Sequence, residues 1–251
     1  MKTISVTALD IVTSTSDHLL AALKDGAPEG TAIRANVQTK GRGRRGREWD
    51  SPRGNLYVSI LLRPARPMTE WPSLSLVAGL ALYDAILPYR PASSLGLKWP
   101  NDLLFHDRKC AGLLLEVQDG AIMLGCGVNL HASPESVEGW PPISLNDPLT
   151  QSVPLEAAPL DADTLMSSLA ETLPHRYNQW GEGGFANLRE DWHAAAAHLG
   201  QDLVISRMED SLEGRFTELD TSGNLCLLGA DGVHHVITQG DVTRARLKDH
   251  P

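Results

Sequence analysis

The chain has 251 residues, 42% of them hydrophobic, enough to build one large domain or a large domain with a small one. Its formal net charge is −9, and the four arginines of residues 41–47 contribute +4, so the remainder stands at −13. That balance argues against a broad basic surface for general nucleic-acid binding and favours a local site for a small anion.

Cys110, Cys126 and Cys226 are an odd number at unrelated spacings, which gives no disulfide framework and no CxxC metal site. The nine histidines show no HExxH spacing, and His234-His235 would point to opposite faces of a strand. The N-terminal stretch carries no signal-peptide apolar core, and no apolar run approaches membrane-spanning length. A reducing cytoplasm is the simplest expected setting.

Residues 4–11 alternate apolar and polar, as a first strand would. Thr13-Ser14-Thr15-Ser16-Asp17 is an N-cap segment, Leu19, Leu20 and Leu23 follow at helical spacing, and Gly26 stops the helix. On local grounds Ser14 and Thr15 are capping residues. A second strand runs through residues 32–37 and ends at Gln38; another spans residues 55–62.

Between those strands lies Gly41-Arg42-Gly43-Arg44-Arg45-Gly46-Arg47, followed by Glu48 and Trp49. Glycine entropy and crowded like charges exclude a strand or a helix interior, so a flexible loop is expected. Arginine binds phosphate and carboxylate through paired hydrogen bonds, and glycine admits backbone N–H groups to the same anion. A solvated charged face and a disordered RNA-binding segment are the competing readings. Confinement between two strands, without repetition and inside an acidic protein, favours an anion clamp.

Residues 71–87 read as an apolar helix ended by Pro88 and Pro91. In Lys98-Trp99-Pro100-Asn101-Asp102 the X-Pro step and the Asn-Asp pair predict a turn between strands. Asp102 is there as a turn-former or as a carboxylate held on a rigid turn. Residues 109–117 form a strand headed by Lys109, with Gly112 marking close approach by another group. Asp119-Gly120 is a hairpin turn, and the return strand, residues 121–130, places Gly125 and Gly127 on one face. Those glycines leave a slot for a flat ligand or mark bulges.

Residues 132–160 are proline-rich and read as surface loop. Helices are expected over 161–180, kinked or divided at Pro174, and over 185–199, stopped at Gly200. Short strands at 203–205, 212–216, 225–228 and 234–237, punctuated by glycines, predict a small β-barrel module of about fifty residues.

Taken in order, five stretches resemble the biotin–protein ligase family: Ser14-Thr15; Gln38 with the Arg/Gly loop and Trp49; Lys98 to Asp102; Lys109-x-Ala111-Gly112; and Gly125-x-Gly127-Val128-Asn129. The resemblance implies an α/β (α+β) catalytic domain with a mixed sheet, akin to class II aminoacyl-tRNA synthetases and biotinyl/lipoyl ligases, over residues 1–199. It implies an SH3-like barrel over residues 200–251. The implied activity joins biotin to ATP as biotinyl-5′-AMP, then transfers the biotinyl group to a lysine of a biotin carboxyl carrier protein, with Mg²⁺ accompanying ATP.

By the same resemblance Arg42, Arg44, Lys109, Asp102 and Asn101 are catalytic, Asp102 assisting proton loss from the acceptor amine and Asn101 orienting it. Ser14, Thr15, Gln38, Gly41, Arg42, Gly43, Arg44, Lys109, Gly112, Gly125 and Gly127 would bind biotin. Arg42, Arg45, Arg47, Trp49 and Asn129 would bind ATP or the adenylate. No metal site built by the protein, no specific DNA and no membrane partner is expected, and a homodimer is left open. Two positions depart from the family pattern: Ser16 stands where asparagine is usual, and Cys110 where an aliphatic residue is usual. Some members carry an N-terminal winged helix that represses biotin genes; here the first motif already lies at Ser14, so operator binding is not expected.

Overall fold

The computed structural model describes residues 1, 3–135, 140–147, 160–206 and 210–244. The first strand, β1 (Ser5–Val12), runs parallel to β2 (Thr31–Gln38), and α1 (Thr15–Lys24) makes the crossover. Ser14 caps that helix, its Oγ accepting from Ser16 N, and Asp17 in the first turn suits the positive helix end. Leu19 and Leu23, one helical turn apart, bury against Ile33, Leu61, Ala121 and Met123.

Five further strands complete a mixed seven-stranded sheet: β3 (Leu56–Leu62), β4 (Leu95–Lys98), β5 (Asp102–Phe105), β6 (Arg108–Gln118) and β7 (Ala121–Val128), in the order β1-β2-β3-β7-β6-β5-β4. Only the β1–β2 pair is parallel. The sheet's other face carries the larger core, covered by α2 (Leu74–Ile86) and α3 (Ala162–Gly183).

Alternation along the strands decides what each face can do. On β7, Ile122, Leu124, Cys126 and Val128 enter the large core. Ala121 and Met123 lie under α1, and Gly125 and Gly127 continue that face beyond the helix N-terminus. Register aligns two cross-strand rows there. One reads Ser59–Gly125–Leu114; the other reads Tyr57–Gly127–Gly112–Asp102–Lys98. Glycine is thus stacked beside glycine, directly next to an acid–base pair.

Several expected elements change form. The helix expected at 71–87 starts as a 3₁₀ turn, Met68–Ser73, because Pro72 has no N–H to continue an α-helical ladder. Pro174 lies inside α3 without dividing it. The helix expected at 185–199 is a 3₁₀ turn, Phe185–Leu188, followed by α4 (Arg189–Ala195). It stops early because Ala197 N donates to Leu97 O, extending the chain along β4.

The expected surface loop at 132–160 is also corrected where it is described. Trp140, Ile143 and Leu145 are buried, and Ile143 N donates to Lys109 O. The rest of that stretch, 136–139 and 148–159, lies outside the described residues.

The C-terminal strands are β8 (Asp202–Ser206), β9 (Ser211–Leu219), β10 (Leu225–Leu228), β11 (His234–Ile237) and β12 (Asp241–Arg244). They pair antiparallel in the order β11-β10-β9-β8-β12, a separate sheet whose last strand returns beside its first. No pair among the described residues closes this sheet into a barrel, and β12 escapes the sequence reading. The module docks on the Lys98–Asp102 turn: Trp99 Nε1 donates to Gly223 O at 3.0 Å. Gly223 has φ +85, and a Cβ there would lie 2.5 Å from Leu76 Cδ1, so that approach requires glycine.

Candidate active site

A cavity of about 830 Å³ opens on the α1 face of the sheet, past the helix N-terminus. One end is a floor of neutral polar groups. Ser51 Oγ donates to Trp49 O, so Gln38 Nε2 donates to Ser51 Oγ at 3.0 Å. That fixes Gln38 with Oε1 toward Thr15, accepting from Thr15 N at 2.8 Å and from Thr15 Oγ1 at 3.1 Å. The single Thr15 hydroxyl proton is then used. Ser59 Oγ must donate to Thr15 Oγ1 across 2.8 Å, and Ser16 Oγ to Ser59 Oγ across 3.2 Å. The protons therefore run one way, from Ser16 to Gln38, and Ser16 faces the cavity with acceptor lone pairs. Ser59 is at 0% exposure, so this order is enforced by burial.

The Arg/Gly loop forms the lid. It is closed by its own backbone: Trp49 N donates to Gly41 O, Gly43 N to Arg47 O, and Arg44–Gly46 makes a 3₁₀ turn with Arg45 at φ 58. A Cβ on Gly41 would fall 2.3 Å from Trp49 O, so the closure requires glycine there. Carboxylates from three other elements reach the loop. Arg42 reaches Asp17 at 2.6 Å and Glu116 at 3.7 Å, while Arg44, Arg45 and Arg47 all reach Asp241 of β12. The sequence reading counted repulsion within the loop and could not see these counter-charges.

Trp49 lies against the glycine pair. A Cβ on Gly127 would be 2.7 Å from its Nε1, and one on Gly112 would be 3.0 Å from its Cζ3. The glycines therefore admit the chain's own indole, and the register runs through all three without a bulge. Trp49 Nε1 is buried with no hydrogen-bond partner, a donor left for an acceptor on whatever enters.

Between floor and lid sits a buried charge cluster. Asp102 Oδ2 accepts from Lys98 Nζ at 2.9 Å, and Asp102 Oδ1 lies 2.6 Å from Lys109 Nζ. Burial pushes the Asp102 carboxyl up, but the Lys109 and Lys98 charges more than offset it and hold the group at about 2. Ionised and engaged on both oxygens, Asp102 is a poor proton acceptor near neutrality. The two ammonium groups of Lys98 and Lys109 thus meet on this one carboxylate. Asn101 Oδ1 accepts from Arg44 Nη1 at 2.9 Å and its Nδ2 donates to Leu113 O, which joins the lid arginine to this turn.

Of the expected site residues, Ser14, Thr15, Gln38, Gly41, Arg42, Gly43, Arg44, Arg47, Trp49, Asn101, Asp102, Lys109, Gly112, Gly125, Gly127 and Asn129 all line the cavity. Arg45 does not; its guanidinium points out to Asp241. Asn129 lines it while its Nδ2 donates to Ile143 O, a tie to the 140–147 segment. Cys110 is fully buried, and burial pushes its thiol far up, so it packs as an inert thiol. Sequence reading missed Lys98, Ser51, Ser59, Trp140 and Asp241 as cavity residues. Lys98 stood inside a recognised stretch, and its place in a buried strand was the available signal. Trp140, whose ring centroid lies 5.3 Å from Lys98 Nζ, carried none.

Residues 8–132 match the model of the Biotin/lipoate A/B protein ligase family, and residues 198–243 match that of the Biotin protein ligase C terminal domain. A biotin–[acetyl-CoA-carboxylase] ligase of Paracoccus denitrificans is 38% identical over 210 residues, spanning 80% of this chain and 85% of that protein. One of Mycobacterium tuberculosis is 34% identical over 248 residues, spanning 95% and 89%. Among solved structures, the biotin protein ligase of Aquifex aeolicus in complex with biotin and ATP superposes with a TM-score of 0.81 at 25% identity, covering 96% of this chain and 99% of that one. With relatives this similar along nearly its whole length, the chain belongs to the biotin–protein ligase family of enzymes.

Proposed function

We propose that this chain activates biotin with ATP and transfers the biotinyl group to a lysine of a biotin carboxyl carrier protein. The observation that carries the reading is the cavity's two-ended chemistry: a neutral floor with oriented acceptors meets a lid and wall of arginine and lysine. Biotin suits the floor, because ureido N–H groups match the acceptor lone pairs at Ser16, with Ser14, Thr15 and Gln38 completing that end. Its ring system would lie along Gly125, beside the Trp49 indole that covers Gly112 and Gly127.

In the first step a biotin carboxylate oxygen attacks the α-phosphorus, and the bond to the β-phosphate breaks to release pyrophosphate. Two anions are forced together, so fixed cations are the main requirement. Lys109, Arg42 and Arg44 supply them, with Arg47, Trp49 and Asn129 toward the nucleotide and Arg45 at the rim. In the second step the neutral acceptor amine attacks the mixed-anhydride carbonyl, AMP leaves with the bonding electrons, and the proton lost from the amine passes to the departing phosphate or to solvent. Asp102 acts by holding Lys98 and Lys109 in place, and Asn101 by holding Arg44. Among the described residues no group of three or more histidine, cysteine or carboxylate side chains is fit for a metal, and Asp102 is taken by lysines. Mg²⁺ therefore enters this reading only as the companion of ATP.

The same reading takes residues 1–199 as the catalytic domain, with a synthetase-like fold, and residues 200–251 as an SH3-like domain; the return of β12 beside β8 supports the latter. It includes neither operator binding nor a membrane step. No helix among the described residues is long and apolar enough to cross a membrane.

The test is incubation with biotin, MgATP and a biotin-carrier domain, read as mass gain on the carrier, with lipoate replacing biotin in a second arm. Biotin-dependent gain is expected. No gain, or gain with lipoate alone, overturns the proposal.

A further inference from the structure

The cationic lid is gathered by a residue from the far end of the chain. Asp241 opens β12, where its backbone pairs with Ser206 of β8. Its carboxylate lies 3.4 Å from Arg44 Nη1, 2.9 Å from Arg45 Nη1 and 3.6 Å from Arg47 Nη2. Three guanidinium groups thus converge on a single carboxylate. The other acceptor on Arg44 Nη1 is the neutral Asn101 Oδ1. Burial lowers the Arg44 pKa most, the Asp241 and Asp102 charges oppose it, and the neighbouring Arg45 and Arg47 charges add to it.

Carboxylate and phosphate are recognised by the same arginine fork. A carboxylate carries one charge and two oxygens, whereas a pyrophosphate group carries several of each. Such a cluster, pinned to a strand rather than to another loop, will exchange its weak partner for a stronger one of the same chemistry.

We infer that Asp241 is a built-in competitor at the phosphate subsite: it stands in for phosphate oxygens on Arg44, Arg45 and Arg47, and yields them when the polyphosphate of a nucleotide or free pyrophosphate arrives. This rests on the ligase reading above. The C-terminal sheet then sets where the lid waits, and nucleotide binding loosens the tie between lid and sheet. Each partly exposed ion pair is weak, so the competition is modest and depends on salt.

The test is calorimetry of inorganic pyrophosphate binding to the full chain, wild type, Asp241→Asn and Asp241→Glu, across a range of salt, with KM for ATP and for biotin measured alongside. In Asp241→Asn, pyrophosphate should bind about three- to tenfold tighter at low salt, the scale of one or two such pairs. Its affinity should fall more steeply with salt, because no ion pair is lost to offset those gained. KM for ATP should fall with it, KM for biotin should stay, and Asp241→Glu should restore wild-type behaviour.

An Asp241→Asn protein of wild-type melting temperature that binds pyrophosphate equally or more weakly overturns the inference, as does a wild type that binds none. A second measurement needs no variant: amide exchange at residues 240–242 should quicken on adding pyrophosphate, and unchanged or slower exchange overturns it. Failure of the ligase reading would show separately, as loss of biotin transfer by wild type.

Discussion

The two ends of the cavity are built on opposite principles. The floor is neutral, buried and directional, with the hydroxyl protons of Ser16, Ser59, Thr15 and Ser51 and one amide proton of Gln38 each assigned to one acceptor. The lid is charged and partly exposed: the side chains of Arg42, Arg45 and Arg47 are 40%, 43% and 53% accessible, and their partners are carboxylates reached from other elements. A buried neutral network discriminates by geometry and ignores salt. A charged lid discriminates by sign, is screened, and can exchange partners. One site thus holds a neutral head group firmly and a polyphosphate reversibly. The Lys98–Asp102–Lys109 cluster sits at the seam and shares both characters, charged yet buried.

The seam gives the largest expected effect. Lys109→Ala should keep the fold and lower biotin-dependent ATP–pyrophosphate exchange by about a hundredfold or more, the scale of losing one preorganised charge-stabilising donor. Exchange near wild type would remove Lys109 from the chemistry.

Asp102→Ala tests the same seam through stability. It strands two ammonium groups, and losing one partner of a buried ion pair costs about 3–5 kcal/mol. The pH sign follows from a carboxyl held at about 2, below its ordinary 3.8. Its stabilisation is present above the ordinary value and fades as pH falls toward about 2. The gap in denaturant midpoint between wild type and variant should therefore be full at neutral pH and close in acid. A gap that is constant with pH would count against the paired carboxylate.

Arg44→Gly separates lid from seam. It removes the contacts to Asn101 and Asp241 but leaves Arg42 and Lys109. Exchange should persist at a reduced level while biotinyl-AMP escapes and bystander lysines become biotinylated. Complete loss of exchange with no released adenylate would place Arg44 in the first step instead.

Gly127→Ala probes the slot. Its Cβ would meet the rigid Trp49 indole at 2.7 Å, so ring and lid must shift together. KM should rise about tenfold for biotin, the cost of roughly 1.4 kcal/mol of displaced packing. An unchanged KM would show that Trp49 moves freely.

The smallest change is expected at the floor. Ser59→Ala removes the hydroxyl linking Thr15 and Ser16. It should raise KM for biotin about threefold to tenfold, one neutral hydrogen bond's worth, with KM for ATP unchanged. That shift should be the same at low and high salt, whereas lid variants should be salt-sensitive. Salt dependence of the Ser59→Ala effect would dissolve the contrast between the two ends.

Much of the site was legible in the chain because its signals are local. A serine before a helical leucine pattern, Asp119-Gly120 between apolar runs and an arginine–glycine loop between two strands each follow from a few adjacent residues. Asp119 and Gly120 both take positive φ, as that hairpin turn demands. The slot was legible too, since alternation alone puts Gly125 and Gly127 on one face.

What those groups would meet was not legible. The order β1-β2-β3-β7-β6-β5-β4 brings Ser59 to Ser16, 43 residues away, and register alone sets Gly112 opposite Gly127. Asp241 meets Arg44 across 197 positions. So the chain by itself determined which residues carry hydroxyls, cations and glycine gaps, and roughly where each element begins and ends. Tertiary structure alone decided that Asp102 lies between two lysines, and that carboxylates of α1, β6 and β12 reach the lid arginines. Short-range sterics and capping depend on neighbours in sequence, whereas charge compensation and desolvation depend on neighbours in space.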